Sequence, residues 1–266
     1  MFGSENKFKS AITSGKLQIG FWQALATTVT SEISAYAGFD WLMVDGEHGA
    51  NDLRSVRDQL QIIDPSPSSA VVRVSSVDVV EVKQVMDAGA QTVLVPMVDT
   101  PEDAELMAKA MLYPPHGIRG NGFGVVRVTD YGRSTTYTPR ANDEACLLVQ
   151  VETTQAMENI DAIAATKGVH GVFIGPGDLA TSMGHIGNPG HPEVQAAIEH
   201  GIARILAAGK APGILMADEA KVRRYIELGA LFVAVGSDVA VLAHGAKNLA
   251  AKYLGGEKAS TKGQVY

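Results

Sequence analysis

Several features that would assign a protein to a familiar class are scarce or missing in this sequence. Cys146 is the only cysteine, which excludes a disulfide or a multi-thiolate metal site within one chain and favours a small buried core residue. No run of 18 apolar residues occurs, and residues 1–15 lack the apolar centre of a signal peptide. The formal net charge of −7 argues against nucleic-acid and anionic-membrane partners. These absences predict a soluble cytoplasmic protein.

What the 266 residues do contain is a regular alternation of short apolar runs and amphipathic segments. Because the apolar runs are nearly continuous, they predict parallel strands that are buried on both faces. The predicted strands are 18–22, 40–44, 70–74, 91–98, 146–152, 171–174, 211–216 and 231–235. The predicted helices are 30–37, 52–63, 78–88, 101–112, 156–165, 192–208, 219–228 and 239–253.

Eight strand–helix units predict a single-domain (β/α)8 TIM barrel over residues 1–254, followed by a mobile tail over 255–266. An open doubly wound sheet would need a glycine-rich nucleotide turn after its first strand, and residues 20–23 offer none. Residues 113–143 interrupt the alternation with several prolines and glycines, which predicts a long loop that is either functional or disordered. A second loop is predicted over 175–190.

The stretch 40–49, DWLMVDGEHG, reads as a buried strand that ends in a polar loop. Asp45 ends the strand, and His48 follows close enough for its imidazole to meet that carboxylate, which would make the ring a better base. Taken alone, this spacing more often belongs to a loop carboxylate and a solvated histidine.

Further polar residues fall at the carboxyl ends of other strands, where the chemistry of such barrels takes place. Together with the pair above, the converging residues are Arg73, Gln150, Glu152 and Asp178, and the strand ends also carry Trp22 and Leu215. Glu152 and Asp178 are hard oxygen ligands that suit Mg²⁺ or Mn²⁺. Glu152 could instead be a salt-bridged strand end, and Asp178 the cap of a helix that starts at Leu179.

Arg73 stands inside an apolar strand, where its guanidinium could bind an anionic substrate or an enolate oxygen. It could equally be a structural partner of Glu47 or Glu152. The predicted strands carry no lysine within them or at their carboxyl ends. This excludes a Schiff-base aldolase and leaves carbonyl activation to a metal.

Seven blocks in order give the sequence a family resemblance: GFDWLMVDGEH (38–48), VVRV (71–74), GAQTVLVPMV (89–98), YPPHGIRG (113–120), LVQVE (148–152), GVFIGPGDL (171–179) and GALFVAVG (229–236). They span nearly the whole chain and resemble the HpcH/HpaI aldolase family. The resemblance implies a class II pyruvate aldolase that depends on a divalent metal (Mg²⁺, Mn²⁺ or Co²⁺) and assembles as a homohexamer of paired barrels.

The same resemblance implies individual roles. Glu152 and Asp178 would be the metal ligands, and Asp45 with His48 the base dyad. The residues expected to contact or shape the substrate are Arg73, Gln150, Gly177, Leu215, Trp22 and, from a neighbouring subunit, Asp87. Gly177 stands where many relatives have alanine, and residues 123–133 depart from the usual pattern, so the aldehyde preference stays open.

The expected reaction is reversible cleavage of a 4-hydroxy-2-oxo acid into pyruvate and an aldehyde, with hydroxypyruvate-type donors as well. One alternative is a related lyase for acyl-CoA or citramalyl-type substrates, which should have a basic groove that the sequence does not reveal. The other is a non-enzymatic oligomeric scaffold, which should have lost its ligands, whereas Glu152 and Asp178 are both present.

Overall fold

Eight parallel strands close on themselves around the centre of the protein, and the computed structural model describes residues 5–255. The strands are β1 Gln18–Gln23, β2 Trp41–Asp45, β3 Ser69–Arg73, β4 Thr92–Val95, β5 Cys146–Val151, β6 Val169–Ile174, β7 Ala211–Leu215 and β8 Phe232–Ser237. Each strand pairs in parallel with the next, and β8 returns to β1. The predicted (β/α)8 barrel is therefore confirmed.

Helices surround the barrel and connect its strands. They are α1 Lys7–Thr13, α2 Thr28–Ala35, α3 Leu53–Ile63, α4 Val79–Ala88, α5 Pro101–Met111, α6 Tyr137–Glu144, α7 Thr154–Glu158, α8 Ile160–Ala165, α9 Pro176–Ser182, α10 Pro192–Ala207, α11 Glu219–Glu227 and α12 Asp238–Leu254. Within residues 5–255, no helix is both long and apolar enough to cross a bilayer. The cytoplasmic location stays a prediction, and the predicted tail lies outside the described residues beyond Gly255.

Alternate side chains of each strand serve two cores, as the pleat requires. Leu42 and Val44 point outward and pack with the surrounding helices, whereas Trp41 and Met43 point into the barrel. The interior is filled by large side chains and is not a channel.

The short helix α1 closes the amino-terminal end of the barrel and was not predicted. Its Phe8 is fully buried and packs edge-on against Trp41 and Phe232, with ring centroids 5.7 and 5.8 Å apart. Only two of its seven residues are buried, which is too few for a helical pattern to stand out in the sequence. Since this end is covered, the opposite end is left for a ligand.

Both predicted loops contain regular structure. The segment 113–143 includes a 3₁₀ turn, Arg127–Thr129, and most of α6, and Arg127 ties it to the body by donating to the backbone oxygen of Ala88 at 2.9 Å. The predicted loop 175–190 contains α9.

Most predicted elements differ from the observed ones by one or two residues at an end, and two differ for a reason that the structure shows. The helix predicted over 156–165 is two short helices joined at Asn159, whose side chain donates to the backbone oxygen of Asp99 at 2.8 Å. The strand predicted over 91–98 ends at Val95, because Pro96 lacks an N–H group and Met97 has a positive φ of 53°.

Candidate active site

Asp45 and Arg73 form a buried ion pair at the carboxyl end of the barrel. Their residues lie side by side in the β2–β3 register, and both side chains are 1% exposed. Arg73 donates from Nε to Oδ1 at 2.9 Å and from Nη2 to Oδ2 at 2.7 Å, which is the bidentate geometry that guanidinium and carboxylate groups favour. The Nε1–H of Trp22 also donates to Oδ2 at 3.0 Å. The structure therefore brings these three predicted site residues together.

The environment of Asp45 keeps its carboxylate charged. Burial alone would raise its pKa, but the hydrogen bonds and positive charge of Arg73, together with the hydrogen bond from Trp22, leave the pKa below its ordinary value. The backbone amides of Glu47 and His48 add further hydrogen bonds at 3.0 and 3.3 Å. Asp45 thus organises the loop that follows β2.

Glu47 is a site residue to which sequence reasoning gave only a structural role. Its Oε2 lies 2.7 Å from Nη1 of Arg73, so the structure contains the alternative ion pair between Glu47 and Arg73. The guanidinium also lies over the Trp22 ring, 4.9 Å from its centroid. Burial raises the pKa of Glu47 despite the positive charge of Arg73, and the charges of Asp45 and Asp178 act in the same direction as burial. The signal in the sequence that could have revealed this role is the position of Glu47 between Asp45 and His48 in the DGEH stretch.

His48 lies at the rim with its side chain 55% exposed. Its backbone N–H donates to Asp45, and its Nε2 is 4.0 Å from Oε1 of Glu47. The structure thus joins His48 to Asp45 through the main chain. Direct pairing of the imidazole with Asp45 stays a prediction.

Glu152 follows β5 and is buried with 1% exposure. Its Oε1 accepts the backbone N–H of Met97 at 2.9 Å, and its Oε2 accepts Nε2 of Gln150 at 2.5 Å. Burial raises its pKa to about 7, although both hydrogen bonds oppose the rise, and the negative charges of Asp178 and Glu47 reinforce it. This carboxylate is therefore costly to keep charged in the absence of a nearby cation.

The backbone beside Glu152 leaves room only for glycine. A Cβ atom built on Gly175 would collide with Oε2 of Glu152 and come within 3.2 Å of Nε2 of Gln150. Gly175 is also the residue that precedes α9, so the close approach brings the start of this helix against the carboxylate.

Asp178 lies in the first turn of α9 and is partly exposed. The alternative that it caps a helix starting at Leu179 is wrong, because the helix starts at Pro176 and Gly175 occupies the cap position without a side-chain hydrogen bond. Its charge raises the pKa of Glu152, as the coupling of two neighbouring carboxylates requires. Two acidic side chains from separate strand ends therefore share one electrostatic environment.

The composition of this end of the barrel fits a divalent cation. Four carboxylates belong to this end of the barrel: Asp45, Glu47, Glu152 and Asp178. The buried guanidinium of Arg73 forms ion pairs with the first two. Among the described residues, the buried Oε1 of Gln150 has no hydrogen-bond partner. Hard oxygen donors with excess negative charge are the ligands that Mg²⁺ and Mn²⁺ prefer.

The remaining predicted substrate residues fall into two groups. Leu215 ends β7 as a buried residue of the inner core, and Gly177 lies in the first turn of α9 next to Asp178. Asp87 is elsewhere. It is near the end of α4, which runs from β3 back toward the start of β4, and it pairs with Arg119 at 2.8 Å. Within one chain, Asp87 therefore lies toward the opposite end of the barrel.

Comparison with known proteins agrees with this architecture. Residues 18–245 match the HpcH/HpaI aldolase/citrate lyase family. The chain belongs to this family. A 4-hydroxy-2-oxo-heptane-1,7-dioate aldolase of Salmonella heidelberg (strain SL476) is 52% identical over 262 residues, covering 98% of this chain and 100% of that protein.

Two solved structures of family members show the same barrel. One is an HpcH/HpaI aldolase/citrate lyase family protein from Burkholderia cenocepacia J2315, 36% identical with a TM-score of 0.89, covering 93% of this chain and 98% of that one. The other is an HpcH/HpaI aldolase from Desulfitobacterium hafniense DCB-2, 32% identical with a TM-score of 0.83, covering 91% and 96%. The HpcH/HpaI chain described here is a carbon–carbon lyase, so the scaffold alternative does not hold.

Proposed function

We propose that this lyase is a divalent-metal-dependent class II aldolase that reversibly cleaves 4-hydroxy-2-oxo acids into pyruvate and an aldehyde. The full-length similarity to a 4-hydroxy-2-oxo-heptane-1,7-dioate aldolase makes that diacid the first substrate to test. The observation that carries the proposal is the buried, desolvated Glu152 beside Asp178 in a site with more carboxylates than cationic groups.

Glu152 and Asp178 would hold the ion, which we expect to be Mg²⁺, Mn²⁺ or Co²⁺. When bound, it would act as a Lewis acid toward the 2-oxo acid. The electrostatics support this assignment, because pyruvate is an anion and would otherwise meet four carboxylates and a single guanidinium. Gly175 supports it sterically by keeping the space beside Oε2 of Glu152 clear of a side chain.

Arg73 would stabilise the negative charge that develops on the enolate oxygen. Its guanidinium is already fixed by Asp45, Glu47 and the Trp22 ring, so little reorganisation would be needed during the reaction. Gln150 would contact the pyruvate portion. Its Nε2 restrains Glu152, and its partnerless Oε1 is an acceptor that a bound hydroxyl group or water would satisfy.

His48 would move protons between the pyruvate methyl group, the aldehyde oxygen and water. Its exposed position at the rim gives the ring access to substrate and solvent. Asp45 would hold the guanidinium of Arg73 in place. It would also orient the main chain at His48 by accepting the His48 backbone N–H. The side chains of Trp22 and Leu215, with the first turn of α9 at Gly177, would border the aldehyde.

The proposal includes a homo-oligomer, a trimer of dimers with paired barrels. Helix α12 has 17 residues, of which Asp238 alone is buried, and it exposes large apolar side chains such as Leu242 and Tyr253. Helix α2 adds exposed Val29 and Ile33. Such a surface is typical of a subunit interface. Light scattering should give about six times the 28.0 kDa chain mass, and a monomer would contradict the assembly.

In that assembly, Asp87 would reach the site of a neighbouring subunit, since it lies toward the opposite end of its own barrel. A variant such as Asp87→Asn should then lower turnover without changing cation binding by its own chain.

The function is tested by pyruvate release from 4-hydroxy-2-oxo acids, followed in an assay coupled to a pyruvate-consuming dehydrogenase. Chelator should abolish cleavage, and added Mg²⁺, Mn²⁺ or Co²⁺ should restore it. In the reverse direction, the enzyme should catalyse aldol addition of pyruvate or hydroxypyruvate to an aldehyde. Cleavage confined to citramalyl or acyl-CoA substrates, with tight CoA binding, would favour the related lyase. Full activity in chelator would contradict the role of the metal.

A further inference from the structure

A second group of potential ligands lies outside the candidate active site, in the segment 183–191 between α9 and α10 and in the first turn of α10. His185, His191 and Glu193 each offer a donor atom, and these atoms all lie within 4.8 Å of one another. The two imidazole rings are stacked, with centroids 3.6 Å apart and planes 16° apart. Nε2 of His185 lies 2.9 Å from Oε2 of Glu193.

The backbone holds this group together. The N–H of His185 donates to the oxygen of Ala180 at 2.7 Å, and the N–H of His191 donates to the oxygen of Asn188 at 3.0 Å. Positive φ angles at Gly184 and Gly187 allow the chain to double back between these residues. The two histidines are therefore brought face to face by a short, internally hydrogen-bonded segment.

We propose that His185, His191 and Glu193 form a site for a borderline divalent cation of the Zn²⁺ class. Two imidazole nitrogens and one carboxylate are a common zinc ligand set, and nitrogen ligands select against Mg²⁺. This preference differs from that of the all-oxygen pair at the barrel end. The site is thus distinct in chemistry as well as in position along the chain.

Binding requires a local rearrangement that the surroundings permit. Each ring must tilt out of the stack so that an in-plane nitrogen lone pair points at the ion. The Glu193 side chain is 70% exposed, so it is free to move together with the His185 ring. His191 would give up only a long capping hydrogen bond, 3.3 Å from Nδ1 to the backbone N–H of Glu193. The Nζ of Lys221 lies beside Gly190, and its positive charge disfavours a bound cation. The negative charge of Glu193 offsets this repulsion.

The position of the site gives the ion a structural role. His185 follows the end of α9, which carries Asp178, and Glu193 lies in the first turn of α10. A bound ion would therefore link the helix of the candidate active site to the next helix and restrain the segment between them.

The test is a Zn²⁺ titration of the full-length, tag-free chain by calorimetry in millimolar Mg²⁺. The histidine variant is His185→Phe, which keeps an aromatic ring against His191 but removes the ligand. His200→Phe makes the same change at an exposed histidine on α10 and serves as the matched control. Asp178→Asn separates this site from the barrel site, and Glu193→Gln provides a second variant with a small change in shape.

We expect a single nitrogen-ligated Zn²⁺ in the wild type, in His200→Phe and in Asp178→Asn. His185→Phe and Glu193→Gln should each weaken binding by about 100-fold or more, because losing even an outer-shell partner of a ligand costs about 10- to 100-fold and these residues are the ligands themselves. Histidine resonances of residues 185 and 191 should shift on addition of Zn²⁺. Binding that survives His185→Phe unchanged, or that is lost in Asp178→Asn alone, would overturn the proposal.

Discussion

Replacing Glu152 by glutamine should stabilise the metal-free protein at alkaline pH, although it removes a proposed metal ligand. Burial raises the pKa of Glu152 from its ordinary value of 4.5 to about 7. At about 1.4 kcal/mol for each tenfold change in proton affinity, the charged form costs about 3 kcal/mol. Because the pKa is raised in the folded state, the contribution of Glu152 to the free energy of unfolding is fully present below pH 4.5. This contribution is lost as the pH rises through about 7.

Glutamine can satisfy the same neighbours without a charge. Its Oε1 would accept the backbone N–H of Met97, and its amide would donate to the partnerless Oε1 of Gln150 once the Gln150 amide turns over. The free energy of unfolding of Glu152→Gln should therefore equal that of the wild type near pH 4.5 and exceed it by up to about 3 kcal/mol near pH 8. Added Mg²⁺ should then stabilise only the wild type.

Urea unfolding in chelator at a fixed protein concentration, repeated across this pH range, measures the difference. Glu158→Gln, at an exposed position on the following short helix, should change stability by less than about 0.5 kcal/mol at every pH. A Glu152→Gln variant that is less stable than the wild type at alkaline pH would refute the reasoning. So would a gain that does not depend on pH.

Three further substitutions test the neighbouring residues. Arg73→Lys cannot reproduce the bidentate contact with a buried carboxylate, so urea unfolding should show a loss of about 3 kcal/mol or more; an unchanged midpoint would contradict the buried ion pair. Gly175→Ala should displace the carboxylate of Glu152 and weaken Mn²⁺ affinity at least tenfold by calorimetry, whereas Gly236→Ala, where a Cβ meets only ordinary contacts, should not. His48→Ala should slow exchange of the pyruvate methyl protons, followed by NMR, by about 10²-fold; an unchanged rate would remove it from proton transfer.

The barrel was predictable because its strands have a distinctive composition. A parallel strand buried on both faces must be almost wholly apolar, as Leu42–Val44 and Leu147–Val149 are, and the regular alternation of such runs with amphipathic segments identifies them as strands. Polar residues that end such runs must then emerge at the same end of the barrel. The sequence alone therefore places Asp45, Glu152 and Asp178 at the carboxyl end of the barrel.

Elements stabilised by a few long-range contacts were not predictable. Helix α1 depends on Phe8 entering the barrel interior, and α6 carries only two buried residues among eight. Neither segment contains enough apolar residues to reveal a helical period. Their partners lie far away along the chain, as with Asn6, whose side chain donates to Thr92 at 2.9 Å.

Partner choice within the site was also beyond the sequence. The spacing of Asp45 and His48 permits contact through either the imidazole or the backbone amide, and the structure gives the amide contact. The pairing of Arg73 with both Asp45 and Glu47 depends on strand register, which spacing along one strand cannot reveal. The position of Asp87 on its helix carries no signal of a role in another subunit.

The most direct test of the account is the amount of Mn²⁺ bound per chain, measured by equilibrium dialysis alongside pyruvate proton exchange in the same samples. The wild type and Glu158→Gln should bind the ion and catalyse exchange. The double variant Glu152→Gln, Asp178→Asn should lose both together while remaining folded. Mn²⁺ bound at the wild-type level by the folded double variant, with exchange intact, would contradict the claim that these two carboxylates hold the catalytic ion.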